Sequence, residues 1–89
     1  MDIVGIPRIG GERTIVHAEN GKYYYVDTTL TFDHGWETMV FPYDNDNQRV
    51  SDWGDLYCKN YGSEDEAITM HRYITHHIGI FVDLWEEKE

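Results

Sequence analysis

The chain is short and acidic. It has 89 residues, of which 17 are Asp or Glu and 7 are Lys or Arg, so its formal net charge is −10. Such a surface repels the phosphate backbone of nucleic acids and anionic membranes, and we expect neither to be a direct partner. Hydrophobic residues make up 40% of the chain and aromatic residues 15%, which favours a folded protein over a disordered one. We predict a single small domain over residues 1–89.

Two features indicate a cytoplasmic protein. The start of the chain, MDIVGIPRIGG, is too short and too acidic to be a secretion signal, and no apolar run approaches transmembrane length. Cys58 is the single cysteine and cannot form an internal disulfide, which fits a reducing compartment. We therefore expect the protein to act in the cytoplasm of a host cell.

Residues 1–11 are predicted to form an irregular N-terminal arm. The segment contains Pro7 and three glycines, and a short edge strand is expected over residues 3–6. The segment has four apolar residues, Ile3, Val4, Ile6 and Ile9, which indicate that it packs against another surface.

Alternating β-branched and aromatic residues predict three antiparallel strands joined by two tight turns. The first strand covers residues 14–19, and two longer strands fill residues 22–43. Asn20-Gly21 is a strong hairpin signal, because both residues tolerate a positive φ. His34-Gly35 is the second predicted turn, and we expect two residues in each loop.

Turns of that length would fix the register of the three strands. His17 would pair with Tyr24, and Leu30 would pair with Met39. One face would then pack in the core, formed by Tyr24, Val26, Leu30, Met39, Phe41 and Tyr43. The opposite face would carry an apolar patch formed by Tyr23, Tyr25, Trp36 and Val40.

The rest of the chain is predicted to add a turn, short strands and a helix. Residues 44–49 form a polar turn, residues 50–53 a short strand and residues 56–61 a fourth strand. A helix is expected over residues 63–78, because Ser63 and Glu66 make a capping box. Its apolar stripe consists of Ala67, Met70, Ile74 and Ile78, and a continued helix would add Phe81 and Trp85.

Residues 79–89 are open to two interpretations. Gly79 weakens a helix by about 1 kcal/mol relative to Ala, so these residues form either a helix extension or an extended tail. In the second case, residues 80–84 could be a short strand. The predicted fold class is α+β, with an antiparallel β-meander of three to four strands and one C-terminal helix packed on a face.

Acidic side chains between residues 44 and 55 have the spacing of a calcium-binding loop. Positions one, three, five, nine and twelve of such a loop would be filled by Asp44, Asp46, Gln48, Asp52 and Asp55. However, Arg49 stands where the loop needs Gly, and the last position is Asp rather than a bidentate Glu. We predict a hairpin turn in which Asn and Asp satisfy local backbone groups, and keep calcium binding as an alternative.

The histidines and the cysteine do not form a recognisable catalytic or metal motif. His71, His76 and His77 lack the four-residue spacing that places two imidazoles on one helix face for zinc. We predict that His71 is a hydrogen-bonded packing residue, and a zinc site formed in space by His17 and His71 stays open. Cys58 is expected to be a small buried hydrophobe.

No phosphate-binding loop or nucleophile elbow is recognisable in the sequence either. We therefore predict a protein that is not an enzyme, with no catalytic residues, no metal ligands and no cofactor.

Residues 32–71 resemble a group of small uncharacterised proteins encoded by bacteriophages and prophages, mainly of Firmicutes. Their pattern is an ETMVF-type strand, a V-x-D-W step, a Tyr before an acidic helix start with E-E-A, and a His. The matching elements here are ETMVF at residues 37–41, VSDW at residues 50–53, Tyr61, DEA at residues 65–67 and His71, with FDHG at residues 32–35. The resemblance implies a phage or mobile-element accessory protein. It implies no reaction, and it does not include residues 1–11 or 79–89.

We expect a non-enzymatic protein that binds a macromolecular partner, for example a phage-encoded inhibitor of a host defence complex. Aromatic residues would supply buried area, and acidic residues would attract a basic surface that binds nucleic acid. The candidate partner-binding residues are Tyr23, Tyr25, Trp36, Asp44, Asp46 and Asp52.

The acidic and aromatic residues are also compatible with different roles. Any single acidic cluster is more simply interpreted as a solvated surface that keeps the protein in solution. The partner would be a host or phage protein, and a homodimer through the sheet face or an edge strand is also expected. The alternative function is a domain that binds calcium or zinc.

Overall fold

An antiparallel sheet and two helices make up the described part of the chain. The structure is a computed structural model and describes residues 11–86. The elements are β1 (Glu12–His17), β2 (Tyr23–Thr31), β3 (Gly35–Asp44), β4 (Arg49–Val50), β5 (Tyr57–Tyr61), α1 (Glu64–His76) and α2 (Ile78–Glu86). β1, β2 and β3 are neighbours in the sheet, and both β4 and β5 pair with β3. The predicted α+β fold is confirmed, whereas residues 1–10 of the predicted arm at residues 1–11, and residues 87–89, lie outside the described residues.

The turn between β1 and β2 contains three residues rather than two. The N–H of Ala18 donates to the carbonyl of Lys22 at 2.9 Å, and the N–H of Gly21 donates to the carbonyl of Ala18 at 3.0 Å. Gly21 has a φ of 88°, as expected for the left-handed residue that closes a three-residue hairpin. His17 therefore pairs with Tyr23, and the predicted register is wrong by one residue.

The turn between β2 and β3 also contains three residues, because Thr31 pairs with Gly35. Thr31 Oγ1 accepts a hydrogen bond from the N–H of His34 at 3.1 Å and donates one to the carbonyl of Gly35 at 2.8 Å. Leu30 consequently pairs with Trp36. The predicted register is wrong here by three residues.

Both register errors are odd numbers, so they exchange the two faces of β1 and β3. A slip by an odd number of residues moves each side chain of a strand to the other side of the sheet. Val26 and Val40 are fully buried with the helices, and we call their side of the sheet the inner face. The outer face is the opposite side, formed by Arg13, Ile15, His17, Tyr23, Tyr25, Asp27, Thr29, Glu37, Met39, Phe41, Tyr43, Cys58 and Asn60. The predictions that Met39, Phe41 and Tyr43 face the core and that Val40 faces outward are therefore wrong.

The helical region consists of two helices rather than one. Ser63 Oγ accepts a hydrogen bond from the N–H of Glu66 at 3.3 Å, which confirms the predicted start of α1. His77 interrupts the helix, and α2 begins at the next residue. The chain from residue 79 to residue 86 is thus helical. Within residues 11–86, neither helix is long and apolar enough to cross a bilayer.

One apolar stripe continues through both helices and covers the inner face. Its buried members are Ala67, Ile74, Ile78, Val82 and Trp85. The predicted stripe is thus confirmed in part, since Met70 and Phe81 are only half-buried and Val82 was not predicted. Tyr57 stacks on Trp85 with the ring centroids 5.2 Å apart, so α2 also packs against β5. The core therefore occupies the inner face, between the sheet and both helices.

Candidate partner-binding face

Aromatic and apolar side chains from three adjacent strands line up on the outer face. Direct cross-strand partners lie on the same face of a sheet, so the pairing defines the rows. One row is Ile15, Tyr25 and Phe41, and the next is His17, Tyr23 and Tyr43. The rings of His17 and Tyr23 are nearly parallel, with centroids 4.2 Å apart and an interplanar angle of 4°.

Four aromatic residues form a contiguous cluster, which we call the aromatic patch: Tyr25, Phe41, Tyr43 and Trp53. The ring of Tyr25 lies 6.4 Å from that of Phe41 and 6.5 Å from that of Tyr43. Trp53, from the loop after β4, meets Phe41 edge to face at 5.1 Å. Trp53 is 61% exposed, Tyr25 and Tyr43 are partly exposed, and Phe41 is buried among them at 5% exposure. Large aromatic side chains held by their neighbours lose little entropy on binding and often dominate protein interfaces.

An acidic turn lies directly beside the aromatic patch, since Asp44 follows Tyr43 in the chain. Asp44 Oδ1 accepts hydrogen bonds from the N–H groups of Asp46 at 3.0 Å and Asn47 at 3.2 Å. Its Oδ2 accepts a bond from the side-chain amide of Asn47 at 2.7 Å. These bonds, with the Asn47 side chain as the largest contribution, lower the pKa of Asp44. The prediction of a turn in which Asp satisfies local backbone groups is confirmed.

A second acidic turn contains Trp53 itself. Asp52 Oδ1 accepts a hydrogen bond from the N–H of Gly54 at 2.8 Å, and the side chains of Asp46, Asp52 and Asp55 are exposed. Aromatic surface and negative charge therefore alternate along this part of the chain. Among residues 11–86, no group of three or more His, Cys, Asp or Glu side chains is arranged to hold a metal ion.

The structure brings together only some of the predicted partner-binding residues. Tyr23 and Tyr25 lie on the outer face, Asp44 and Asp46 lie on the turn after Tyr43, and Asp52 lies on the turn that contains Trp53. Trp36 instead pairs with Leu30 and Tyr61 on the inner face, so its predicted position is wrong. The sequence interpretation missed three members of the patch: Phe41, Tyr43 and Trp53. A three-residue loop over residues 32–34 would have placed Phe41 and Tyr43 correctly, because it changes the face of β3.

His71 is a buried polar centre on the inner face and not a metal ligand candidate. It is 1% exposed, and both ring nitrogens are hydrogen-bonded: Nδ1 to Thr28 Oγ1 at 2.7 Å and Nε2 to Thr14 Oγ1 at 2.9 Å. Thr28 Oγ1 also bonds Thr38 Oγ1 at 2.5 Å. Both Thr28 and Thr38 are fully buried, so a substrate has no access to this pair of hydroxyls. The prediction that His71 is a hydrogen-bonded packing residue is confirmed, and the arrangement ties α1 to β1 and β2.

Cys58 is exposed on β5, and its prediction as a buried residue is wrong. Partial desolvation, assisted by the charge of Glu37, raises the pKa of Cys58 to about 11. Burial also raises the pKa of Tyr61 to about 12. Both shifts favour the protonated form, which is the opposite of what activates a thiol or phenol as a nucleophile.

Comparisons with known protein families, with curated proteins and with solved structures found no match to this chain. The resemblance of residues 32–71 to phage and prophage proteins therefore stays a prediction.

Proposed function

We propose that the protein is a non-enzymatic accessory protein of a phage or mobile element that binds a basic macromolecular partner in the cytoplasm of a host cell. The supporting observation is the aromatic patch with two acidic turns, one directly after Tyr43 and one that contains Trp53. Buried aromatic area supplies most of the affinity in such interfaces, while charges at the rim mainly speed the encounter. An inhibitor of a host defence complex is the specific form of this function that the phage resemblance favours.

The charge of the protein favours a basic heterologous partner over a second copy of the chain. Each copy carries a formal net charge of −10, and pairing two outer faces would bring Asp44 and Asp52 of one copy near the acidic turns of the other. Like charges at an interface are destabilising, and opposite charges accelerate association. Trp36 is left out of the proposed site, because its register position puts it on the inner face.

Affinity capture followed by binding kinetics tests this function. A photo-reactive amino acid at position 43 should cross-link a partner from a bacterial lysate, whereas the same group at position 80 on α2 should not. The purified partner is then measured at two salt concentrations against two variants. Trp53→Ala should speed dissociation, and the triple change of Asp44, Asp46 and Asp52 to Asn should slow association and flatten its salt dependence.

Ile80→Ala is the matched control, because Ile80 is an exposed apolar residue away from the outer face, with 62% of its surface accessible. Its kinetics should equal those of the unmodified protein. The proposed function would be contradicted if Trp53→Ala and the triple Asn variant both bound the partner with unchanged rates. It would also be contradicted if no protein were captured while calorimetry showed tight binding of calcium or zinc. The second result would favour the metal-binding alternative. A dimeric mass by light scattering that Trp53→Ala abolishes would assign the face to a second copy instead.

A further inference from the structure

β5 lies at an edge of the sheet and has one open side. In the described part of the chain, it pairs with β3 alone, through residues 57–61. Its three central residues, Cys58, Lys59 and Asn60, are exposed. An open strand edge carries backbone N–H and C=O groups that can pair with a further strand. The side of β5 that faces away from β3 is therefore a candidate binding edge.

The hydrogen bonds of β3 show which backbone groups lie on this open edge. The carbonyls of Val40 and Pro42 accept hydrogen bonds from N–H groups between β4 and β5, at 2.8 Å and 3.0 Å. The even-numbered residues of β3 therefore direct their backbone groups toward β4 and β5, and Lys59 pairs with one of these residues. Because backbone groups alternate between the two sides of a strand, the N–H and C=O groups of Cys58 and Asn60 point to the open edge.

Carboxylates flank the open edge on both faces of the sheet. A groove of about 500 Å³ lies between the edge and the start of α1, with Asp65 and Glu66 on the helix side and Lys59 on the strand side. On the outer face, the side-chain amide of Asn60 donates to Glu37 Oε2 at 3.3 Å. The three carboxylates outnumber the one amine, so the surroundings of the edge favour positive charge.

We propose that the open edge of β5 binds an extended basic peptide segment, which adds to the sheet as a further strand. The added strand would exchange main-chain hydrogen bonds with Cys58 and Asn60. Its side chains alternate between the two faces, so they would point to Glu37 on one face and to Asp65 and Glu66 on the other. Basic side chains therefore meet a carboxylate at both sets of positions.

The charges disfavour a second copy of β5 as the added strand. In an antiparallel pair centred on β5, Lys59 of one copy would lie opposite Lys59 of the other, and like charges directly opposite each other are destabilising. Each copy also carries a formal net charge of −10. The site uses no residue of the aromatic patch, so the inference does not rest on the proposed function.

Titration of the full chain with synthetic octapeptides tests the inference. The probe alternates lysine and valine and has blocked ends. One comparison peptide has methyl groups on all internal amide nitrogens, and another has glutamate in place of lysine. The probe should slow amide hydrogen exchange at Cys58 and Asn60 by about tenfold or more, without slowing it in β1. Equal affinity of the probe and either comparison peptide, or equal slowing in β1, would overturn the inference.

A matched pair of substitutions isolates the backbone donor at position 60. Asn60→Pro removes an N–H group on the open edge without removing a hydrogen bond to β3, whereas Asn60→Ala removes the same side chain and keeps the N–H group. The affinity for the probe should be about tenfold lower in Asn60→Pro than in Asn60→Ala, with the far-ultraviolet circular dichroism preserved. Equal affinities of the two folded variants would contradict strand addition, and if Asn60→Pro does not fold, the methylated peptide decides.

Trp53→Ala separates this site from the aromatic patch. The variant should bind the probe with unchanged affinity, because Trp53 lies outside β5 and its groove. Binding of the probe that is lost in Trp53→Ala and kept in Asn60→Pro would overturn the inference and assign the basic peptide to the aromatic patch. That result would leave the proposed function standing, whereas binding at β5 without a partner for the patch would leave only the strand addition.

Discussion

At the scale of single residues, His71 is the group whose protonation should matter most for stability. Burial lowers the pKa of His71, and the nearby charges of Glu12 and Asp27 oppose this shift only in part. The unperturbed pKa of His is about 6.5. Because the pKa of His71 in the folded protein is lower, the unfolded chain binds a proton more readily than the folded chain. The contribution of neutral His71 to the free energy of unfolding is complete above the unfolded-state pKa and is lost as the pH falls through the pKa of the folded protein.

We therefore expect the free energy of unfolding to fall by up to about 1 kcal/mol per pH unit as the pH drops from about 7 to about 5.5. His71→Gln should flatten this dependence and cost about 1–3 kcal/mol at neutral pH, because one of the Thr hydroxyls loses its partner. Urea unfolding at several pH values measures both effects. His76→Gln is the control, since His76 is exposed on the same helix. An equal pH dependence in the wild type and His71→Gln would exclude His71 as the titrating group.

The thiol of Cys58 should react slowly despite its exposure. Its pKa is raised from 9.0 to about 11. Because the thiolate is the reactive form, its fraction at a given pH falls on the order of 100-fold for such a shift. Titration with a chromogenic disulfide near pH 8 should be much slower than for free cysteine. Glu37→Gln should accelerate the reaction, whereas a rate equal to that of free cysteine would contradict the raised pKa.

At the scale of elements, the start of β1 depends on Gly11, which lies outside both hairpin turns. Gly11 has a φ of 92° and lies against the backbone of Thr28, whereas Gly21 has a φ of 88° and open space around it. Gly21→Ala should cost about 1–2 kcal/mol for its left-handed conformation. Gly11→Ala adds a steric clash with backbone, so its loss in the free energy of unfolding should be clearly larger. Equal losses would mean that the close contact at Thr28 is absent.

At the scale of the whole molecule, the core between the inner face and the helices should carry most of the stability. Ile74 is fully buried and Ile80 is 62% exposed, so the same substitution can be compared at the two sites. Ile74→Ala should cost about 2–5 kcal/mol as a cavity, and Ile80→Ala should cost less than about 1 kcal/mol. Chemical denaturation measures the difference. A larger loss at Ile80 would mean that α2 packs on the sheet through its other side.

The architecture was predictable because its signals are local. Period-two alternation in residues 23–31, the cap at Ser63 and the stripe through Ile74 each depend on neighbours within a few positions of the chain. The candidate site was predicted in part, since Tyr23, Tyr25, Asp44 and Asp52 lie together. Trp36 was assigned to the wrong face because one error in loop length displaces every later side chain of the strand.

By itself, the sequence determined which segments are strands and helices, the polar turn after Tyr43 and the hydrogen-bonded burial of His71. The tertiary structure decided which face of β1 and β3 packs in the core and where the helix is interrupted. The dipeptide Asn20-Gly21 is compatible with loops of two or three residues, and both keep a glycine at positive φ. The choice between them is made by packing, because the observed β1/β2 register places Val16 and Ala18 on the same face as Tyr24 and Val26, in the core under the helices. The break at His77 has the same origin, since it allows Ile78, Val82 and Trp85 to complete that core.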